Sequence, residues 1–351
     1  MPFEQISAKI ILFFILYGIT GAVSAIAAIY LLLRRSNAFM PSVKPPMRLR
    51  RWTAAFFGVS ALSHVWWILF YLYSSDLNSV SYILIVLLDC VLLITTISGT
   101  QLAMLQDRRR PVWPILVVLI PFVVFVAVWM VNHSSLMEQI ATIYMLVVYL
   151  LFNAYIVFAI RQYGKWLNNN YADLEHKRVW LSQVVAFLCM LLLVFYMIAT
   201  DMVLISIMHL VSLALVSLLV WRVETLPQLD SSIPESPSQQ PSNIRQLLGE
   251  RCVDTQLFLQ HDLTMQQLAA ALGTNRTYLG QYFANQGISY NNYINGLRIN
   301  HFITLYHEAV DSKQQFTVQQ LASDSGYRSY STFSSAFKQR MGQSVSAWMG
   351  R

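Results

Sequence analysis

His64, Asp89 and His209 are ionisable side chains set inside long apolar stretches, where a charge is costly and an ionisable group is a functional candidate by default. Counted from the ends of their stretches, they lie about 7–10 residues deep, or roughly 10–15 Å at the helical rise per residue. Three groups at similar depth can form one polar cluster. Such a cluster would bind a small ligand, or sense protons, because histidine titrates near neutral pH. The plainer reading is an Asp–His or histidine–backbone hydrogen bond that pins neighbouring helices together. A metal site is disfavoured, since no two of the three share a helix at ligand spacing.

The stretches that hold these residues dominate the chain. Of 351 residues, 56% are hydrophobic and only 12% are charged, and the mean hydropathy is +0.48. Ordinary soluble chains carry about 25% charged residues. Three cysteines, 13 glycines and 11 prolines exclude a disulfide scaffold and a collagen-like fibre. A stretch of about 20 apolar residues crosses a hydrocarbon core about 30 Å thick. Seven such spans are expected: Ile10–Leu33, Trp52–Tyr73, Tyr82–Met104, Val112–Val131, Ile140–Ile160, Val179–Ala199 and Met202–Val220. Positive charge orients them. The loops after the first, third and fifth spans hold 13 Lys and Arg, against Lys9 alone on the other side. The N-terminus is therefore expected outside and the C-terminus in the cytoplasm. Much of the net charge of +7 is then topological and faces anionic lipid headgroups.

The sequence divides into a membrane domain over 1–225, a linker over 226–242 and a polar domain over 243–351. The linker, Leu226–Ser242, is rich in Pro, Ser and Gln, a composition that stays solvated and extended. The last segment shows helical spacing and carries a repeat. Thr264-Met-Gln-Gln-Leu-Ala returns as Thr317-Val-Gln-Gln-Leu-Ala, 53 residues on, and Gly273 returns as Gly326 at the same offset. Leu279 and Phe283 are matched by Phe333 and Phe337 with one residue added. Each copy predicts a helix opened by a Thr–Gln capping box, a glycine turn, and a second helix with inward residues at i and i+4. Two helices joined in this way form a helix-turn-helix, whose second helix enters the major groove of DNA. The intervening Ser289–Ala309 reads as one helix about 30 Å long, which would hold two such helices about one DNA turn apart.

Residues 244–351 resemble the DNA-binding domain of AraC/XylS-type transcription regulators. The resemblance rests on Leu263-Thr264, Leu268-Ala269, Gly273 through Leu279, Phe283, Gly287, Tyr293-Ile294-Asn295 and Leu297-Arg298-Ile299. It continues through Leu321-Ala322, Gly326-Tyr327, Ser329, Phe333, Phe337-Lys338 and Gly342. It implies that the first recognition helix presents Arg276, Thr277, Gly280 and Gln281, and the second Tyr330, Ser331, Ser334 and Ser335. Gln281 suits adenine, and Arg276 suits guanine or a phosphate. The short second set leaves much of the specificity to DNA shape. Two positions depart from the family pattern: Val345 stands where proline is usual, and Phe302 where alanine is usual. The first is expected to loosen the C-terminal turn and the second to make the spacer helix repack. Arg298 reads as a structural ion pair rather than a DNA contact.

The expected architecture is all-α: a seven-helix transmembrane bundle joined to a cytoplasmic double helix-turn-helix domain. The expected function is that of a membrane-embedded one-component transcription regulator in a bacterial inner membrane. Its partners would be double-stranded DNA, membrane lipid and an unknown small-molecule or membrane signal, and a homodimer is one option. No nucleotide loop, nucleophile elbow, metalloprotease or kinase motif occurs, so neither an enzyme nor a cofactor is expected. The alternative is a receptor or transporter-like membrane protein whose helical domain makes protein contacts. In a third reading the membrane part only anchors.

Overall fold

The structure, a computed structural model, describes residues 8–39, 44–73, 80–132, 134–175, 177–196, 202–229 and 243–350. The fold is all-α, with no strand among the described residues. The chain divides into two compact units: Met1–Arg161 with Val179–Ser231, and Gln162–Arg178 with Ser232–Arg351.

Seven helices open the chain: α1 (Ala8–Leu33), α2 (Met47–Tyr73), α3 (Val80–Met104), α4 (Trp113–Asn132), α5 (Ser135–Asn170), α6 (Trp180–Tyr196) and α7 (Met202–Thr225). Six of them are long and apolar enough to cross a membrane. The exception is α6, whose described part has 17 residues; the end of the expected sixth span and the turn at Thr200-Asp201 lie outside the described residues. α5 continues ten residues past the expected end at Ile160. In the first unit α1 packs on α2 and α7, α2 on α3, α3 on α4, and α6 on α7. Apolar surface faces outward along these helices, as with Phe14, Ile26, Leu72 and Leu151. That distribution suits a lipid solvent rather than water. Small residues allow close approach: a Cβ on Gly99 of α3 would lie 2.4 Å from the Trp52 ring of α2.

One end of the first unit is held by a buried ion pair. Arg50 of α2 and Glu224 of α7 lie 2.6 Å apart, each about 1% exposed. Arg50 also donates to the backbone oxygens of Arg34 and Ser36, and Glu224 accepts from the Ala38 N–H. The carboxylate and the carbonyls together spread the arginine's donors over two other chain segments, which offsets the desolvation of both charges. The start of the expected linker belongs here too. Leu226 and Leu229 are buried, and the Gln106 amide donates to the Pro227 carbonyl and accepts from the Leu229 N–H. Apolar residues at the first and fourth positions pull Leu226–Leu229 out of the solvated state that its composition suggests, and residues 230–242 lie outside the described residues.

The second unit adds α8 (Ile244–Leu248), a π turn (Gly249–Val253), a 3-10 turn (Leu257–Leu259), α9 (Met265–Leu272), α10 (Arg276–Asn285), α11 (Tyr290–Asp311), α12 (Val318–Asp324), α13 (Tyr330–Met341) and α14 (Val345–Met349). Two apolar clusters form its core. One gathers Leu248, Cys252, Phe258, Leu268, Leu279, Phe283 and Ile294, and the other gathers Ile299, Phe302, Leu321, Phe333, Phe337 and Val345. α11 contributes to both. Phe302 is fully buried, with its ring 4.5 Å from that of Phe333. Here phenylalanine fills space that alanine would leave empty. Val345 is the first residue of α14 behind the Ser344 cap, so the C-terminal turn forms without proline. Burial pushes the Cys252 thiol up to about 11, so it stays a protonated packing group at neutral pH.

Removing one partner of the buried pair strands the other charge, at a cost of about 3–5 kcal/mol. Glu224→Ala should therefore lower the thermal midpoint in detergent sharply, and the double substitution Arg50→Met with Glu224→Leu should recover most of the loss. Phe302→Ala should destabilise the second unit by about 3–5 kcal/mol, read as faster amide exchange across α11 and α13.

Candidate nucleic-acid interface

The repeat in the sequence becomes two helix pairs with related local chemistry. At the start of α9 the Thr264 hydroxyl accepts from the Gln267 N–H at 3.2 Å, and the Gln267 side chain accepts from the Thr264 N–H at 2.8 Å. Two orphan donors of the helix start are thereby satisfied reciprocally. At the start of α12, Thr317 accepts from the Gln320 N–H at 3.2 Å, without the return bond from the glutamine side chain, so the expected capping box forms in the first copy and only its threonine half in the second. Each first helix closes on a left-handed glycine, Gly273 at φ 72° and Gly326 at φ 92°. The next amide folds back in both copies, Thr274 to the Ala269 carbonyl at 2.9 Å and Tyr327 to that of Ala322 at 3.1 Å. Gly326 has a second constraint, because a Cβ there would lie 2.8 Å from the Leu259 Cα.

The second helix of each pair starts on a polar cap: Asn275 accepts from the Tyr278 N–H, and Ser329 from the Thr332 N–H. Leu279 and Phe283 on α10, and Phe333 and Phe337 on α13, are buried at helical spacing. Burial of one stripe fixes the other face outward. Thr277 and Gln281 of α10 are exposed and Arg276 is half-buried. Tyr330, Ser331 and Ser335 of α13 are exposed, with Ser334 half-buried. α11, at 22 residues, separates the two pairs.

Arg298 in the middle of α11 is 1% exposed. Its Nε donates to the Phe258 carbonyl at 2.7 Å, and its Nη2 to those of Gln260 and His261 at 2.6 and 3.2 Å. The guanidinium lies 5.5 Å from the Tyr327 ring centroid. Burial pulls its pKa down, and Tyr327 and Tyr290 oppose that shift. Arg298 is thus a structural residue, as expected, but its hydrogen-bond acceptors are backbone carbonyls rather than the carboxylate that an ion pair would require. Sequence pattern does not show which carbonyls converge on a buried arginine.

Residues 268–351, about a quarter of the chain, match the family model described as a helix-turn-helix domain. This domain is an AraC-type helix-turn-helix domain. Neither a curated protein nor a solved structure matches the chain. Helix-turn-helix domains of this type bind DNA in transcription regulation and are not enzymes. In the helix-turn-helix domain here, the residues that fix the fold are caps, glycines and an aromatic stripe. Of the residues that the family resemblance singles out, Thr277, Gln281, Tyr330, Ser331 and Ser335 are exposed, and Arg276, Gly280 and Ser334 are half-buried.

The intramembrane candidates are brought together in part. The His64 and His209 rings lie 5.8 Å apart, with the Tyr17 ring 4.6 Å from His64 and 5.4 Å from His209. The Tyr17 hydroxyl donates to the His64 carbonyl at 2.8 Å, so α1, α2 and α7 meet at this point. His64 Nδ1 pairs with the Ser60 carbonyl at 2.7 Å. Asp89 turns to other partners: its Oδ2 accepts from Ser63 at 2.9 Å and from the Trp67 indole at 2.5 Å. The two histidines form an aromatic-lined pair, and Asp89 bonds the residues beside it on α2.

Sequence reasoning counted the loop after α5 only for its charge, yet its residues enter the second unit. Ala172 is 1% exposed in the first apolar cluster, its N–H donates to the Leu263 carbonyl, and Tyr171 pairs with Thr264 in an isolated bridge. A weak signal was present: Tyr171, Ala172 and Leu174 interrupt an otherwise polar loop.

Arg298→Met should strand three carbonyls and destabilise the helix-turn-helix domain by several kcal/mol, at about 1–3 per unsatisfied group. Arg298→Lys should recover only part of it, because an ammonium lacks the guanidinium's planar fork. Amide exchange of α11 and α12 in the full chain in detergent checks both.

Proposed function

We propose that this chain is a membrane-embedded, one-component transcription regulator that reads DNA through two helix-turn-helix units. The observation that carries this reading is the repeated helix pair, threonine-capped in both copies and with an outward polar face in each, within a domain of a DNA-binding family. α11 spans about 33 Å, close to one turn of DNA, which suits two readers on successive major grooves. Arg276, Thr277 and Gln281 serve the first half-site, and Tyr330, Ser331, Ser334 and Ser335 the second. Arg276 and Gln281 are the residues with bidentate base-reading chemistry. The serines of α13 are short, so the second half-site relies on phosphate contacts and DNA shape.

The apolar helices are read as the membrane domain. The charge asymmetry of the loops supports a cytoplasmic C-terminal domain, where a bacterial genome would be accessible. The His64–His209 pair, at the meeting of α1, α2 and α7, is the candidate element for detecting a small molecule or a proton. Replacing the bundle with one unrelated span separates sensing from anchoring: loss of regulation with DNA binding retained marks a sensor, and retained regulation marks an anchor.

The direct test is selection of random duplex DNA by the full chain in lipid nanodiscs, repeated across salt concentrations. A discrete motif with half-sites about one turn apart is expected, with affinity falling as salt rises. Binding without sequence preference would refute the proposed readout. Gln281→Ala should cost about 1–3 kcal/mol on the selected duplex and relax one base position. Unchanged preference would remove Gln281 from the interface.

A further inference from the structure

Glu175, in the loop between α5 and α6, has its carboxylate on the N-terminus of α13. Its Oε1 accepts from the Ser331 hydroxyl at 3.0 Å, and its Oε2 accepts from Thr332 Oγ1 at 2.8 Å and from the Ser329 hydroxyl. Ser329 is the helix cap, and Ser331 is one of the outward residues assigned to DNA. The start of a helix, with its unpaired N–H groups and positive dipole end, is where a phosphate would bind. A carboxylate supported by three hydroxyls stands in the place of that phosphate.

The rest of the segment Gln162–Arg178 fixes this contact. Asn291 of α11 donates to the carbonyls of Tyr171 at 3.1 Å and Ala172 at 2.6 Å, and Asn295 donates to that of Ala172 at 3.3 Å. The Ala172 methyl is buried among the first apolar cluster. Asn169 and Asn170, at the end of α5, line a cavity of about 230 Å³ with Arg276, Thr277 and Gly280 of α10. One segment therefore contacts the start of α13 and borders a cavity that α10 also lines.

We propose that the segment 162–178 is a tethered competitor of DNA: its docking occupies the phosphate-binding end of α13 and excludes the duplex. The exclusion is both steric and electrostatic, because the Glu175 carboxylate and a backbone phosphate require the same donors and repel one another. The segment continues α5, so it is joined covalently to the fifth apolar helix. The inference rests on the DNA-binding reading given above.

The test measures affinity of the full chain in nanodiscs for the duplex it selects, together with amide exchange at Ser329–Phe333. Glu175→Ala removes the carboxylate. Ala172→Asp expels the segment by placing a charge in its buried contact while making the protein more acidic. Glu308→Gln, at an exposed site on α11, controls for loss of a negative charge elsewhere in the domain. Both Glu175→Ala and Ala172→Asp should raise affinity about tenfold and speed exchange at the start of α13, with Glu308→Gln changing neither by more than about twofold. The rise for Ala172→Asp is decisive, since added negative charge alone would weaken binding. DNA binding of equal strength in wild type and both variants overturns the competition and leaves the DNA-binding reading standing. Failure of every form, Ala172→Asp included, to bind any duplex overturns that reading and the competition with it.

Discussion

The second unit depends on a cation kept almost wholly out of water. Arg298 emerges from the middle of α11, and its donors reach the carbonyls of Phe258, Gln260 and His261, while its plane lies by Tyr327. The first three belong to the turn that precedes α9, and Tyr327 to the turn that precedes α13. One side chain therefore relates the two helix pairs to the helix between them. A buried guanidinium tolerates no partial arrangement, because each lost carbonyl leaves a donor and an acceptor unsatisfied in a medium of low dielectric. The orientation of α10 with respect to α13 is set at this point more than by the apolar clusters. The clusters lie on either side of Arg298 and have no charge of their own to fix a register.

What could be read from the sequence was what is local. The helices of the first unit follow from apolar length, and the caps at Thr264 and Thr317 from a threonine and a glutamine three residues apart. The left-handed glycines and the aromatic stripe of α13 follow from spacing alone. The outward faces of α10 and α13 needed only helical geometry once those stripes were known. Contacts between distant segments were not legible. Glu175 is separated from Ser331 by 156 residues, and nothing in its surroundings distinguishes it from a loop acid on a solvated surface. The partners of Arg298 are backbone atoms, which carry no residue-type signal, so the charge suggested a carboxylate where the structure supplies carbonyls. Asp89 shows the same limit: depth in the helix put it near the histidines, but not which hydroxyl and indole of α2 it would accept from.

Paired charge is used in two ways. In the first unit the Arg50 Nη groups meet a carboxylate, Glu224, and two backbone carbonyls, and the result is a clamp of fixed partners. In the second unit Glu175 meets hydroxyls at a half-exposed helix start, where water and phosphate are ready substitutes. The first arrangement has no low-energy alternative, whereas the second has one whenever a competing anion is near. The difference lies in solvent access rather than in the number of hydrogen bonds.

α11 also partitions the chain's tolerance of length changes. It is an unbroken helix of 22 residues, and each residue added within it would advance one end by about 1.5 Å and rotate it by about 100°. A single insertion between Arg298 and Asp311 would leave α9 and α10 intact, yet swing the outward face of α13 to a different side of the domain. The same insertion in Ser312–Phe316, the connection to α12, would be absorbed by a turn. In lineages of this domain, insertions and deletions should therefore collect in that short connection and be purged from the helix, whose inward side supplies residues to both apolar clusters.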